Sequence, residues 1–187
     1  MLPVKLQPRG VEKNIGMDSG VVRNSIIQIE DIYQWENKYE KATKSISWKP
    51  LSKKGRRRKG TPEDTVYTLK GYLWFVHLIK FDCDLHIEIG SKDSSATRII
   101  VEVPYKNAAV QNKIKHYLDS LGLPILGCTE NDFNKAHFKY GIPVLVKGYG
   151  FYDSFHKANK THGDRHTNKY LWELHPVTDI EFIREKQ

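Results

Sequence analysis

His86, Glu102 and His175 are the residues of this chain best suited to chemistry. Each falls within a stretch that alternates like a strand. In Asp84-Leu-His-Ile-Glu-Ile, Asp84, His86 and Glu88 share one face, and Leu85, Ile87 and Ile89 share the other. The stretch 99–104 sets Glu102 among apolar neighbours. In 172–182, Trp172, Leu174 and Pro176 lie on one side, with Glu173 and His175 on the other. Two imidazoles and a carboxylate suit a divalent metal. They suit general acid–base work on a phosphodiester equally well. The competing role is structural, with polar side chains tying loops to a sheet through satisfied hydrogen bonds.

Other groups bear on binding. Lys70, Tyr72 and Trp74 share a parity in the stretch 66–79, and Tyr149 and Phe151 share one in 142–152. Rings of this kind stack bases in a basic groove, or else fill a core. The run 53–59 holds Lys53, Lys54, Arg56, Arg57, Arg58 and Lys59. It reads as a solvated linker or as an arm that meets phosphates by counter-ion release. The segment 154–168 is rich in histidine, with His156, His162 and His166 near Asp153 and Asp164, but the spacing matches no zinc pattern. The net charge of +8 favours nucleic acid or another polyanion as partner.

Several classes are set aside. No glycine loop for phosphates and no activated-serine motif is present. Cys83 and His86 are three apart in a strand, so they point to opposite faces. Cys83 and Cys128 are too few for a disulfide framework and are expected as reduced thiols. No stretch has the roughly 20 apolar residues of a membrane span, and the first residues lack the apolar run of a signal peptide. A cytoplasmic protein is expected.

The elements that must position these residues begin near residue 65. Before it, Ile26, Ile27 and Ile29 form a strand-like run, and Ile32, Trp35 and Tyr39 recur at helical spacing, which predicts a helix over 29–44. Residues 1–64 read as a basic, partly irregular extension and 65–187 as the domain. Strands are predicted over 66–79, with a bend at Gly71, then 84–89 and 97–103. Val110, Ile114, Tyr117, Leu118 and Leu121 mark a helix over 107–121, ended by Gly122. Thr129 and Asp132 resemble a capping box and predict a short helix over 132–138. Strands follow over 142–152 and from about 169 to 183. Three strands, a helix and two strands, with a long kinked first strand, make an OB-fold-like five-stranded barrel with a helix between its third and fourth strands. The alternative is an open α+β sheet.

Four segments also carry a resemblance. They are 82–89, 101–104 (Val-Glu-Val-Pro), 146–156 (Val-Lys-Gly-Tyr-Gly-Phe-Tyr-Asp-Ser-Phe-His) and 173–180 (Glu-Leu-His-Pro-Val-Thr-Asp-Ile). In this order they resemble a family of small bacterial OB-fold-like proteins with a Gly-x-Gly-Phe-x-Asp segment and a Glu-Leu-His-Pro-Val terminal strand. The resemblance covers about residues 66–183 and implies the fold but no activity. The strand order also looks like the staphylococcal-nuclease branch of the OB-fold, whose arginine and carboxylate constellation has no match here.

The expected function is nucleic-acid binding, preferentially of single strands, through Lys70, Tyr72, Trp74, Tyr149, Phe151, Arg56, Arg57 and Arg58. A metal-dependent phosphodiesterase or nuclease using His86, Glu102 and His175, with a divalent metal as cofactor, is the first alternative. A non-catalytic protein-interaction module is the second.

Overall fold

The computed structural model describes residues 21–39, 61–79, 82–93, 97–123, 135–153 and 170–184. In chain order the elements are β1 (Val21–Ile27), α1 (Ile29–Lys38), a 3-10 turn (Pro62–Asp64), β2 (Thr65–Leu78), β3 (Leu85–Gly90), β4 (Ile99–Val103), α2 (Ala108–Ser120), β5 (Lys135–Tyr152) and β6 (Trp172–Phe182).

The long β2 organises the barrel. It pairs antiparallel with β5 along one edge, and its second half pairs antiparallel with β3 along the other. The sheet continues antiparallel from β3 to β4, parallel from β4 to β6, and antiparallel from β6 back to β5. The circuit β2-β3-β4-β6-β5 closes through the β2–β5 pairing. α2 lies between the third and fourth of these strands in sequence. A closed five-stranded barrel with this order and this helix is an OB-fold. The open sheet is excluded by the closure itself.

The alternation read from the sequence sets the interior. Leu69, Leu73, Val76, Leu85, Ile87, Ile89, Val101, Val103, Val146 and Leu174 are all buried in one apolar cluster. α2 packs on it through Val110, Ile114 and Leu118. Buried Gln111 ties the helix to the barrel, its Nε2 donating to the carbonyls of Cys83 at 2.9 Å and Val103 at 3.2 Å. Gly122, at φ +71°, ends the helix in the left-handed conformation that glycine takes without strain.

The stretch ahead of residue 65 contributes to the same core. β1 runs parallel to β2, with Val22 opposite Val66 and Ile27 opposite Leu69. It occupies the edge of β2 that β3 leaves open. α1 opens on a capping box in which the Gln28 N–H donates to Asp31 Oδ2 at 2.8 Å. Its apolar stripe of Ile29, Ile32 and Trp35 is buried, and Trp35 meets Trp172 edge-on with ring centroids 5.8 Å apart. Ile29 begins this helix rather than ending the strand, and the helix stops at Lys38, earlier than its spacing predicts.

Two expectations need correction. The segment 135–138 is strand, not helix: Ala136 and His137 pair with Val76 and Phe75 of β2. Pairing with a distant strand overrides the local capping signal. Cys83 is disulfide-bonded rather than a reduced thiol. Cysteines far apart in sequence give no sign there of approach in space. The other cysteine, Cys128, lies outside the described residues.

Candidate functional site

The barrel brings His86, Glu102 and His175 together. In the β3–β4 register His86 stands opposite Glu102, with Nδ1 3.5 Å from Oε1. The parallel β4–β6 pairing sets Val101 opposite Leu174, which carries His175 alongside Glu102. Its Nδ1 lies 2.9 Å from Oε2. Nδ1 forms no hydrogen bond to that oxygen, so the contact is one of proximity. One carboxylate thus serves two imidazoles. His175 is only 3% exposed and Glu102 is also buried, while the His86 side chain keeps 15% of its surface. The Phe151 ring packs on His175 at 5.3 Å.

The row continues. His86 is also the register partner of His77 on β2, and His77 is the partner of Lys135 on β5. Lys135, His77, His86, Glu102 and His175 therefore come one from each of the five barrel strands. Among the described residues, no group of three or more His, Cys, Asp or Glu side chains is placed to hold a metal ion. Both imidazoles turn Nδ1 toward the carboxylate.

The charge on the barrel is divided. On the β3–β4–β6 side, Glu88, Glu102 and Glu173 are buried. Arg98 pairs with Glu88 at 3.1 Å, and its guanidinium lies 5.4 Å over the Trp74 ring. The Trp74 indole N–H donates to the Ser91 carbonyl at 2.9 Å. By contrast β2 and β5, of 14 and 18 residues, contain no Asp or Glu, but carry Lys70, Lys135, Lys139 and Lys147 together with His77 and His137.

Lys70, Lys135, His137 and Lys139 of this ribbon are exposed and Tyr72 is half-buried. Its most prominent feature is a bulge. Leu73 pairs with Ile142 and Phe75 with His137, so Trp74 alone faces residues 138–141. Gly141 makes the bulge possible, because a Cβ there would lie 2.8 Å from both Trp74 Cζ2 and Tyr72 Cβ. Tyr140 projects from it at 75% exposure, with Lys139 Nζ 5.3 Å over its ring. Lys147 is less available, since it stands opposite Asp179 on β6.

The residues expected to bind are thereby sorted. Lys70 and Tyr72 lie on the open ribbon. Trp74, Tyr149 and Phe151 are buried and present no open ring face. Arg56, Arg57 and Arg58 lie outside the described residues, as do His156, His162, Asp164 and His166. His77, Lys135, Lys139 and Tyr140 escaped the sequence reading. The available signal was the two-residue alternation of Lys135, His137 and Lys139 with Ala136 and Phe138.

No family model matches the chain, and no curated protein matches it. Among solved structures, it is similar to Entamoeba histolytica asparaginyl-tRNA synthetase in complex with asparaginyl-adenylate. That match has a TM-score of 0.39 and 14% identity, and covers 71% of this chain and 23% of the synthetase. It is also similar to the yeast Stn1 and Ten1 structure, with a TM-score of 0.38 and 14% identity over 87% of this chain and 64% of that one. The chain spans less than two thirds of either match. Both likenesses are weak, and the fold assignment rests on the strand order.

Proposed function

We propose that the protein binds single-stranded nucleic acid along the β2–β5 ribbon of its OB-fold barrel. The observation that carries this reading is the ribbon's composition: no carboxylate, four lysines, two histidines, and Tyr72 and Tyr140 on its accessible surface. Lysines neutralise phosphates without reading sequence. An exposed ring accepts a base by stacking, which a paired duplex does not offer. OB-folds commonly take oligonucleotides on the face of their second and third strands. Here those strands are β3 and β4, whose outer carboxylates Glu88 and Glu102 are buried and which carry no lysine, so the neighbouring ribbon is the better match for phosphates. The basic run 53–59 would add affinity of the same sequence-independent kind.

The setting of the molecule follows from two further facts. No helix among the described residues is long and apolar enough to cross a membrane. The disulfide at Cys83 supports an oxidising compartment over the expected cytoplasm.

Fluorescence anisotropy with labelled oligonucleotides tests the reading. Single strands are expected to bind more tightly than duplex of the same length, with log affinity falling linearly against log salt. Equal affinity for the duplex removes the single-strand preference. No binding at low salt removes the function.

A further inference from the structure

We propose that Lys135, His77 and His86 form a metal-independent ribonuclease centre, positioned by Glu102 and His175. This rests on the nucleic-acid-binding reading above. His86 turns Nδ1 toward Glu102 Oε1 at 3.5 Å. The contact is a proximity and not a hydrogen bond, and it leaves Nε2 as the nitrogen not facing the carboxylate. The His86 side chain is partly exposed, as contact with a ligand requires. His77 stands directly opposite across the β2–β3 pair, a relation that puts Cβ atoms about 5 Å apart. On the other side of His77, Lys135 is exposed and supplies a cation. The row lies at one end of the basic ribbon, so a strand bound along the ribbon passes over it.

Two imidazoles and an ammonium group match the needs of one phosphodiester reaction. The row holds no serine, threonine or thiol nucleophile, and Cys83 is committed to a disulfide. With none in the row, attack falls to water or to a group of the substrate, and in RNA the 2′-hydroxyl is already held beside the phosphorus. His86 Nε2 takes the 2′-OH proton as the 2′-oxygen forms its bond to phosphorus. The bond from phosphorus to the 5′-oxygen breaks, and protonated His77 gives its proton to that leaving oxygen. Lys135 stabilises the charge growing on the non-bridging oxygens. The products are a 2′,3′-cyclic phosphate and a 5′-hydroxyl end, and the imidazoles reset by exchanging protons with water. DNA lacks the nucleophile and stays intact.

The experiment incubates the full chain in EDTA with a labelled single-stranded RNA and with its all-deoxy counterpart, and reads binding and cleavage separately. Both strands are expected to bind, and only RNA is cut, leaving a cyclic phosphate. His77→Gln, at a partly exposed position, and His86→Gln are each expected to slow cleavage by about 100-fold or more while binding persists. Lys135→Met slows it with the fold untouched, since the side chain is exposed. Glu102→Gln is expected to lower kcat and leave KM near the wild-type value, as a positioning role requires. Bound but intact RNA, cleavage only after Mg²⁺ or Mn²⁺ is added, or cleavage unchanged in both histidine variants would each overturn the centre and leave the binding reading standing. Failure to bind either strand overturns both.

Discussion

His175 and Glu102 meet across parallel strands, Nδ1 to Oε2 at 2.9 Å, with almost no water-accessible surface between them. A buried carboxylate without its partner pays the full cost of desolvation. His175→Ala should therefore destabilise the protein by about 1–3 kcal/mol, because Glu102 then keeps the longer His86 contact but loses this one. His175→Ala combined with Glu102→Gln should recover part of that loss. Urea unfolding at neutral pH, with unchanged slope, reads both. A double variant as unstable as the sum of the two single variants would show that the pair is not coupled.

That these side chains lie on the polar faces of their strands was legible in the sequence because strand parity is rigid. His86, Glu102 and His175 each alternate with apolar residues, and once three strands share a sheet their polar faces must agree. The order of strands and the helix over 107–121 were legible for similar reasons. What parity cannot show is cover. Trp74 has the outward parity of Lys70 and Tyr72, yet it is buried beneath Arg98 and against Gly141. That burial depends on a bulge three strands away in sequence. The lysines at 135 and 139 were missed for a related reason: a local capping signal suggested helix, while the deciding interaction was pairing with β2.

Gly150 marks the closest approach of the 3-10 turn to the barrel. A Cβ at this position would lie 2.5 Å from Pro62 Cβ and 2.6 Å from the Pro62 carbonyl oxygen. Backbone cannot yield as a flexible side chain does, so Gly150→Ala should cost about 1–3 kcal/mol. A thermal melt checks this. A wild-type midpoint would mean that the turn is not held against β5.

Tyr33 gives the fold an alkaline limit. Its hydroxyl donates to the Thr97 carbonyl and its ring stacks on Tyr170 at 4.2 Å. Burial, then the neighbouring Tyr170 and Glu30, push its pKa well above the ordinary value of 10.0. The folded state thus keeps a proton that the unfolded chain releases near pH 10, so stability is full below that pH and falls as pH rises beyond it. Tyr33→Phe should flatten this fall. Urea midpoints at pH 8 and at alkaline pH, taken for both proteins, measure it. An identical alkaline loss in the variant would remove Tyr33 as its source.

Charge reversal on the β2–β5 ribbon tests the central claim most directly. Lys70 and Lys139 are exposed, and neither forms an ion pair with a described carboxylate. Lys70→Glu with Lys139→Glu should leave the melting temperature near that of the wild type. It should weaken single-strand binding at least tenfold at low salt and reduce the salt slope by about 1 for each phosphate that is no longer neutralised. The same reversal at exposed Lys106, beyond β4 and off the ribbon, should change affinity far less. Affinity retained in the Lys70/Lys139 variant, or weakened equally in the Lys106 variant, would contradict a nucleic-acid site on this ribbon.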